Sequence, residues 1–273
     1  MCSSGLPDKI SVTERADASL IPVPVAPSLG RTLRALLEAD LAVQIQNRRA
    51  LALSIVLPVV ALFGLSVGKR AELFGDPLAR TASCLTLGMT SIAILGYSMT
   101  IARDREKGVF QRLLVTPTPP WAIIVSRLIV QVIAIFTMAI VTLVVASVFL
   151  GVSLAPQALL LTLLAVVFAS GVFLGVGQAL VGLVQSSDTV NAVGRLLFIP
   201  LFALGLLGHV DILGTTVETI ARWSPGGAVA TMLSASMNPS TWSSETWWAV
   251  LASVIYAVVF AGIGIRWFHW RVR

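Results

Sequence analysis

The residues able to do chemistry in this chain are few, and their spacing builds no catalytic centre. Among 273 residues there are two histidines, two cysteines and thirteen carboxylates. A zinc protease needs two histidines one helical turn apart with a glutamate between them, whereas His209 and His269 are far apart in sequence. No GxSxG elbow presents a nucleophilic serine. A phosphate-cradling loop needs a Gly-Lys pair followed by a hydroxyl that holds magnesium. The nearest stretch, Gly64-Leu-Ser-Val-Gly68-Lys69-Arg70, is one residue short and has arginine in place of that hydroxyl. Cys2 and Cys84 have neither metal-ligand spacing nor the number for a disulfide framework. No pair of carboxylates falls inside an apolar run, where a proton relay would need them.

One segment does combine chemistry with a defined shape. Arg103, Asp104, Arg105, Glu106 and Lys107 precede Gly108, and then Val109, Phe110, Leu113, Leu114 and Val115 recur at helical spacing. Pro117, Pro119 and Pro120 stop that helix and stiffen the chain beyond it. A short, rigid amphipathic helix with charged flanks is suited to docking in a groove of a partner protein. The plainer reading is a loop whose basic residues mark one side of a membrane.

The elements around this segment are apolar. Hydrophobic residues make up 56% of the chain and charged residues 12%, about half the charge of an ordinary globular protein. A membrane-crossing helix takes about 20 mostly apolar residues. Such runs occur at residues 50–67, 81–102, 121–150, 156–184, 189–208 and 247–265, and residues 128–187 hold no ionisable side chain at all. The break at Ser153-Leu-Ala-Pro156 divides that stretch into two spans joined by a short hairpin. Pro58 and Pro200 lie inside spans, where a membrane helix tolerates a kink. Ser187 or Asp188 is suited to cap the fifth span.

Six spans put both termini on one side. The N-terminal arm, the 103–127 connection, Arg195 and the C-terminal tail hold fifteen basic residues against four in the opposite loops (Lys69, Arg70, Arg80 and Arg222). The positive-inside rule then makes both termini cytoplasmic. This distribution also accounts for the net charge of +6 without a basic face for nucleic acid. Arg127 and Arg195 read as interface anchors, or else as contacts to an anionic headgroup or partner subunit. Trp121, Trp247, Trp248, Trp267 and Trp270 fall at span ends, as headgroup anchors do. Gly171, Gly175, Gly177 and Gly182 give the fourth span a smooth face, for packing within the chain, for a dimer seam or for a substrate path. Residues 1–28 carry no apolar leader and are expected to be a disordered tail. Residues 29–49, with Leu33, Leu37, Leu41 and Ile45 four apart, are expected to lie along the cytoplasmic interface. Residues 209–245 are too short to span twice and suit re-entrant helices.

The run Arg105-Glu106-Lys107-Gly108, followed by Arg112-Leu113-Leu114-Val115-Thr116-Pro117, resembles the signature of ABC-2 type permeases. These are membrane subunits of bacterial ATP-driven exporters of the daunorubicin, nodulation-factor and polysaccharide kinds. Ser187-Asp188-Thr-Val-Asn191 leading to Pro200, and Ile220-Ala-Arg-Trp223-Ser224-Pro225, are similar to that family's fifth span and outer re-entrant region. Gly205-Leu-Leu-Gly-His-Val-Asp211 departs from the Phe/Pro-rich ending of many members.

The resemblance implies an all-α integral membrane protein of six spans, with the six-span domain over residues 50–270. It also implies a non-catalytic permease of a bacterial inner-membrane exporter, paired with a second permease copy or paralogue and two cytoplasmic ATPases. ATP and magnesium would be bound by those ATPases and no cofactor by this chain. The coupling element maps onto Asp104, Arg105, Glu106, Lys107, Gly108, Phe110, Leu113, Leu114 and Pro117, and the outer re-entrant region onto Trp223, Ser224 and Pro225. Spans without charged recognition sites suit a hydrophobic or amphipathic cargo: a drug, lipid, secondary metabolite or lipid-linked glycan. An autonomous channel or secondary transporter is the alternative.

Overall fold

The computed structural model describes residues 28–68, 76–114, 119–207 and 215–268. Every regular element among them is helical. In chain order these are α1 (Leu29–Gln46), α2 (Arg48–Ser66), α3 (Pro77–Glu106), α4 (Val109–Leu114), α5 (Pro120–Leu150), α6 (Pro156–Leu183), α7 (Ser187–Leu207), α8 (Thr215–Trp223), α9 (Pro225–Met237) and α10 (Ser244–Arg266). A 3₁₀ turn at Pro239–Thr241 joins the last two.

Local chemistry sets the ends of these helices. Pro120 and Pro156 open α5 and α6, where a missing amide costs nothing. Gly151 closes α5 at φ 68°, a left-handed conformation that only glycine adopts cheaply. Ser243 and Thr246 form a reciprocal capping box at the start of α10.

Five helices are long and apolar enough to cross a membrane: α3, α5, α6, α7 and α10. The apolar part of α2, Ala52–Ser66, falls short of that length. The all-α membrane fold expected from the sequence is therefore present, with five full-length spans among the described residues and one shorter apolar helix. The second span is longer than residues 81–102. It begins at Pro77, takes in a buried Arg80, and continues through the charges to Glu106. Thirty residues at 1.5 Å each reach about 45 Å, well beyond a hydrocarbon layer of about 30 Å. Charges at the end of α3 therefore need not interrupt it.

The molecule is organised around α3. Within its most apolar stretch 72% of residues are buried, against 17% for α7 and for α10. Midway, Ser91–Tyr97 form a π-helical segment. There the Ser98 hydroxyl donates to the carbonyls of Ala93 and of Gly177 on α6, at 3.1 and 3.2 Å. Tyr97, fully buried, donates from its hydroxyl to Gln178 Oε1 at 2.5 Å. α6 packs along the length of α10, α5 is joined by α1 and α2, and α9 lies buried among α3, α6, α7 and α10. The expected tail at residues 1–28 falls outside the described residues except for Ser28.

Candidate functional site

The charged segment singled out in the sequence forms a sharp turn at one end of the bundle. α3 ends at Glu106, Lys107 closes its last turn by donating to the Arg103 carbonyl at 3.0 Å, and Gly108 reverses the chain at φ 66°. That dihedral suits glycine and strains other residues. α4 then runs back beneath the bundle. Pro117, expected to stop α4, lies outside the described residues, as does Val115. Only the position of Leu114, at the end of α4, is described.

Successive charges on a helix point about 100° apart, so residues 103–106 face four different surroundings. Asp104 pairs with Arg127 of α5. Arg105 is buried and donates to the carbonyls of Val181, Val184 and Gln185 at 2.8, 2.6 and 2.7 Å. The Glu106 carboxylate accepts from the Ser187 amide and hydroxyl, each at 2.6 Å. Arg103 is exposed, and Glu106 stays exposed to solvent while engaging Ser187.

On its apolar side α4 packs against the chain's own bundle. Phe110 is fully buried, its ring edge-on to Phe268 at 5.9 Å with the Arg127 guanidinium 5.3 Å from its centroid. Leu113 packs against the main core. The reversal at Gly108 folds Phe110 fully into the bundle and leaves Val109 and Leu113 partly covered. What faces outward is polar: Lys107, Gln111 and Arg112, around an open depression of about 430 Å³ shared with Glu106 and Gly108.

Several residues of this end gave no obvious sequence signal. Arg127, read as an interface anchor, instead ties three helices. It pairs with Asp104 and lies 4.0 Å from Asp40 of α1. Asp40 also accepts from the Ser126 hydroxyl at 2.6 Å. Asp40 shares the Leu33 and Leu37 side of α1, and a carboxylate on an apolar stripe is the signal that would have found it. The capping of α7 is likewise supplied from outside, by Glu106 rather than by Ser187 or Asp188.

The four glycines of α6 do not share one face. A side chain at Gly175 would meet Ala257 and Ala261 of α10, and one at Gly182 would meet Gly264. Gly177 faces the π segment at Ala93, and Gly171 borders open space. That space is an apolar cleft of about 790 Å³ between α5, α6 and α10, reaching from Trp121 to Val132. At the opposite end, Ser224 caps α9 by accepting from the Gly227 amide at 3.0 Å, with Pro225 in its first turn. The Trp223 carbonyl accepts from the Tyr256 hydroxyl at 2.6 Å. Gly226 and Gly227 sit directly on the backbones of Leu201 and Ala221. α9 is thus a largely buried helix between α7 and α10.

Residues 31–238 of the chain match the family described as ABC-2 type transporter. The chain belongs to the ABC-2 family. Comparison with curated proteins finds no match. As an ABC-2 member it is a permease subunit of an ABC transporter, of a type that is generally non-catalytic and associates with ABC ATPase subunits. The match begins in α1 and ends just after α9. The permease thus includes α1, and α10 lies beyond the matched part while packing along α6.

Proposed function

We propose that this permease exports a hydrophobic or amphipathic compound (a drug, lipid, secondary metabolite or lipid-linked glycan) across a bacterial inner membrane. Two cytoplasmic ATPases energise it, and it pairs with a second permease copy or paralogue. The single observation that carries this reading is the α3–α4 turn. It offers Arg103, Lys107, Gln111 and Arg112 outward while Asp104, Arg105 and Glu106 are engaged by the chain itself. A polar surface borne by buried, hydrogen-bonded supports can receive a push without yielding, which an ATP-driven change of state requires.

Two further features support it. The carboxylates of the long spans lie in their terminal turns (Asp104, Glu106, Asp188 and Glu245), so among the described residues no chain of acids crosses the bundle as an ion relay would need. The cleft between α5, α6 and α10 is almost wholly apolar in its lining, which suits greasy cargo or lipid better than a free sugar. The excess of basic residues at the α4 end supports a cytoplasmic position for that end and for both termini.

The test is co-expression with candidate ABC ATPases, reading copurification and ATP hydrolysis. Lys107→Glu with Arg112→Glu should abolish both while leaving membrane insertion intact. ATPase binding that persists unchanged in the charge-reversed chain refutes α4 as the docking surface. Uphill solute movement by vesicles holding this chain alone would instead establish an autonomous transporter.

A further inference from the structure

The last turn of α3 grips the turn between α6 and α7 with two adjacent residues of opposite charge. The final carbonyls of a helix and the first amides of the next have no partners within their own helices. Here Arg105 takes the carbonyls of Val181, Val184 and Gln185 at the end of α6. Glu106 takes the amide and hydroxyl of Ser187 at the start of α7. A cation thus meets the negative end of one helix dipole and an anion meets the positive end of the next. The order of the charges matters, because exchanging them would set like against like at both ends.

These five contacts are charge-assisted and directional, so they resist both pulling and pushing, whereas apolar contacts slide. They also act on an element that packs along α3 and α9 on one side and is exposed on the other. Only 17% of the apolar stretch of α7 is buried, and Leu196 and Ile199 are largely exposed along it. The N-terminal end of α7 therefore follows α3. The gripping residues adjoin the outward surface of α4 with nothing but Lys107 and Gly108 between them.

We infer that Arg105 and Glu106 form an intrachain latch that passes displacement of the α3–α4 turn to α7, with Ser187 as the positioning residue that receives it. This rests on the ATPase-driven reading above, and it gives the two residues a task different from touching the ATPase. Their partners are the chain's own backbone and Ser187.

Two measurements on the full chain in lipid nanodiscs test the latch. The first uses the chain alone and reads hydrogen exchange. Glu106→Ala and Ser187→Ala should raise exchange of the first-turn amides of α7 by about tenfold, the worth of one lost bond to a charged group. Ser187→Thr, which keeps the hydroxyl, should restore protection. The second uses the complex with an ABC ATPase and a cysteine at Leu196, with native cysteines replaced, and follows maleimide labelling with and without ATP and vanadate. Ser187→Ala, which leaves the α3–α4 turn itself intact, should keep the ATPase bound and hydrolysing while the nucleotide-dependent change in labelling falls about tenfold. Ser187→Thr should again restore it. Unchanged exchange overturns the latch itself, and an unchanged nucleotide response overturns its role in transmission. Failure of the permease reading has a different signature: no ATPase is retained even by the unaltered chain, and transmission falls with it.

Discussion

Arg127 shows how much one side chain can organise in a bundle with so few charges. Its guanidinium joins Asp104 at the end of α3, approaches Asp40 on α1, and lies over the Phe110 ring of α4. The side chain is 14% exposed and its two carboxylate partners 23% and 22%, so the pairs are screened only in part. Arg127→Ala would leave two half-buried carboxylates facing each other, and breaking a buried pair of this kind costs about 2–4 kcal/mol. We expect a clear loss of thermal stability in detergent for Arg127→Ala, and a smaller one for Arg127→Lys, which keeps the charge but not the planar fork. Asp104→Asn should fall between them. A melting temperature for Arg127→Ala equal to that of the unaltered chain would remove Arg127 from this role. The composition of residues 103–107 is plain in the sequence, but their separate directions are not. A charged run reads as one surface until the 100° advance per residue is combined with knowledge of the neighbours on each side.

At the scale of elements, close helix contact is decided by a few glycines. A Cβ at Gly182 would sit 3.0 Å from the Gly264 carbonyl, and a Cβ at Gly264 would sit 2.7 Å from the Gln178 backbone. Small residues allow such backbone approach within a membrane, where there is no aqueous drive to hold helices together. Gly264→Val should therefore pry α10 from α6 and cost about 1–3 kcal/mol, as overpacking does. Gly171→Ala points into open space and should leave stability unchanged or raise it slightly, since alanine is the better helix former. Thermal unfolding of the two variants in the same detergent checks the contrast, and equal effects would contradict it. The spacing of these glycines suggested one smooth face. The structure divides them because residues 175 and 182, two turns apart, share a side that residue 177 does not.

For the molecule as a whole, the arrangement fixes which loops share a side. The α3–α4 turn, the α6–α7 turn and the end of α10 lie at one end, and the α5–α6 hairpin with the Ser224 cap lies at the other. Cysteines at residues 111 and 153, both exposed, should label with impermeant reagents from opposite sides of the membrane, residue 111 from the cytoplasm. Labelling of both from one side would overturn the arrangement of spans and with it the functional reading.

Composition and periodicity by themselves determined the solvent, the helical class and most span boundaries, because burial in lipid demands long apolar runs and internally satisfied backbones. They also marked the 103–120 segment as the one place where charge, a glycine and prolines converge. Tertiary structure decided which charges of that segment face outward and which close on the chain itself. It paired Arg127 with Asp104 and set Glu106 on the amide of Ser187. The physical reason is distance along the chain. Lipid burial acts on each segment separately and is written locally, whereas the partners of Arg105 and Glu106 lie 76 to 81 residues away. Only the packing of α3 against α6 and α7 brings them within reach.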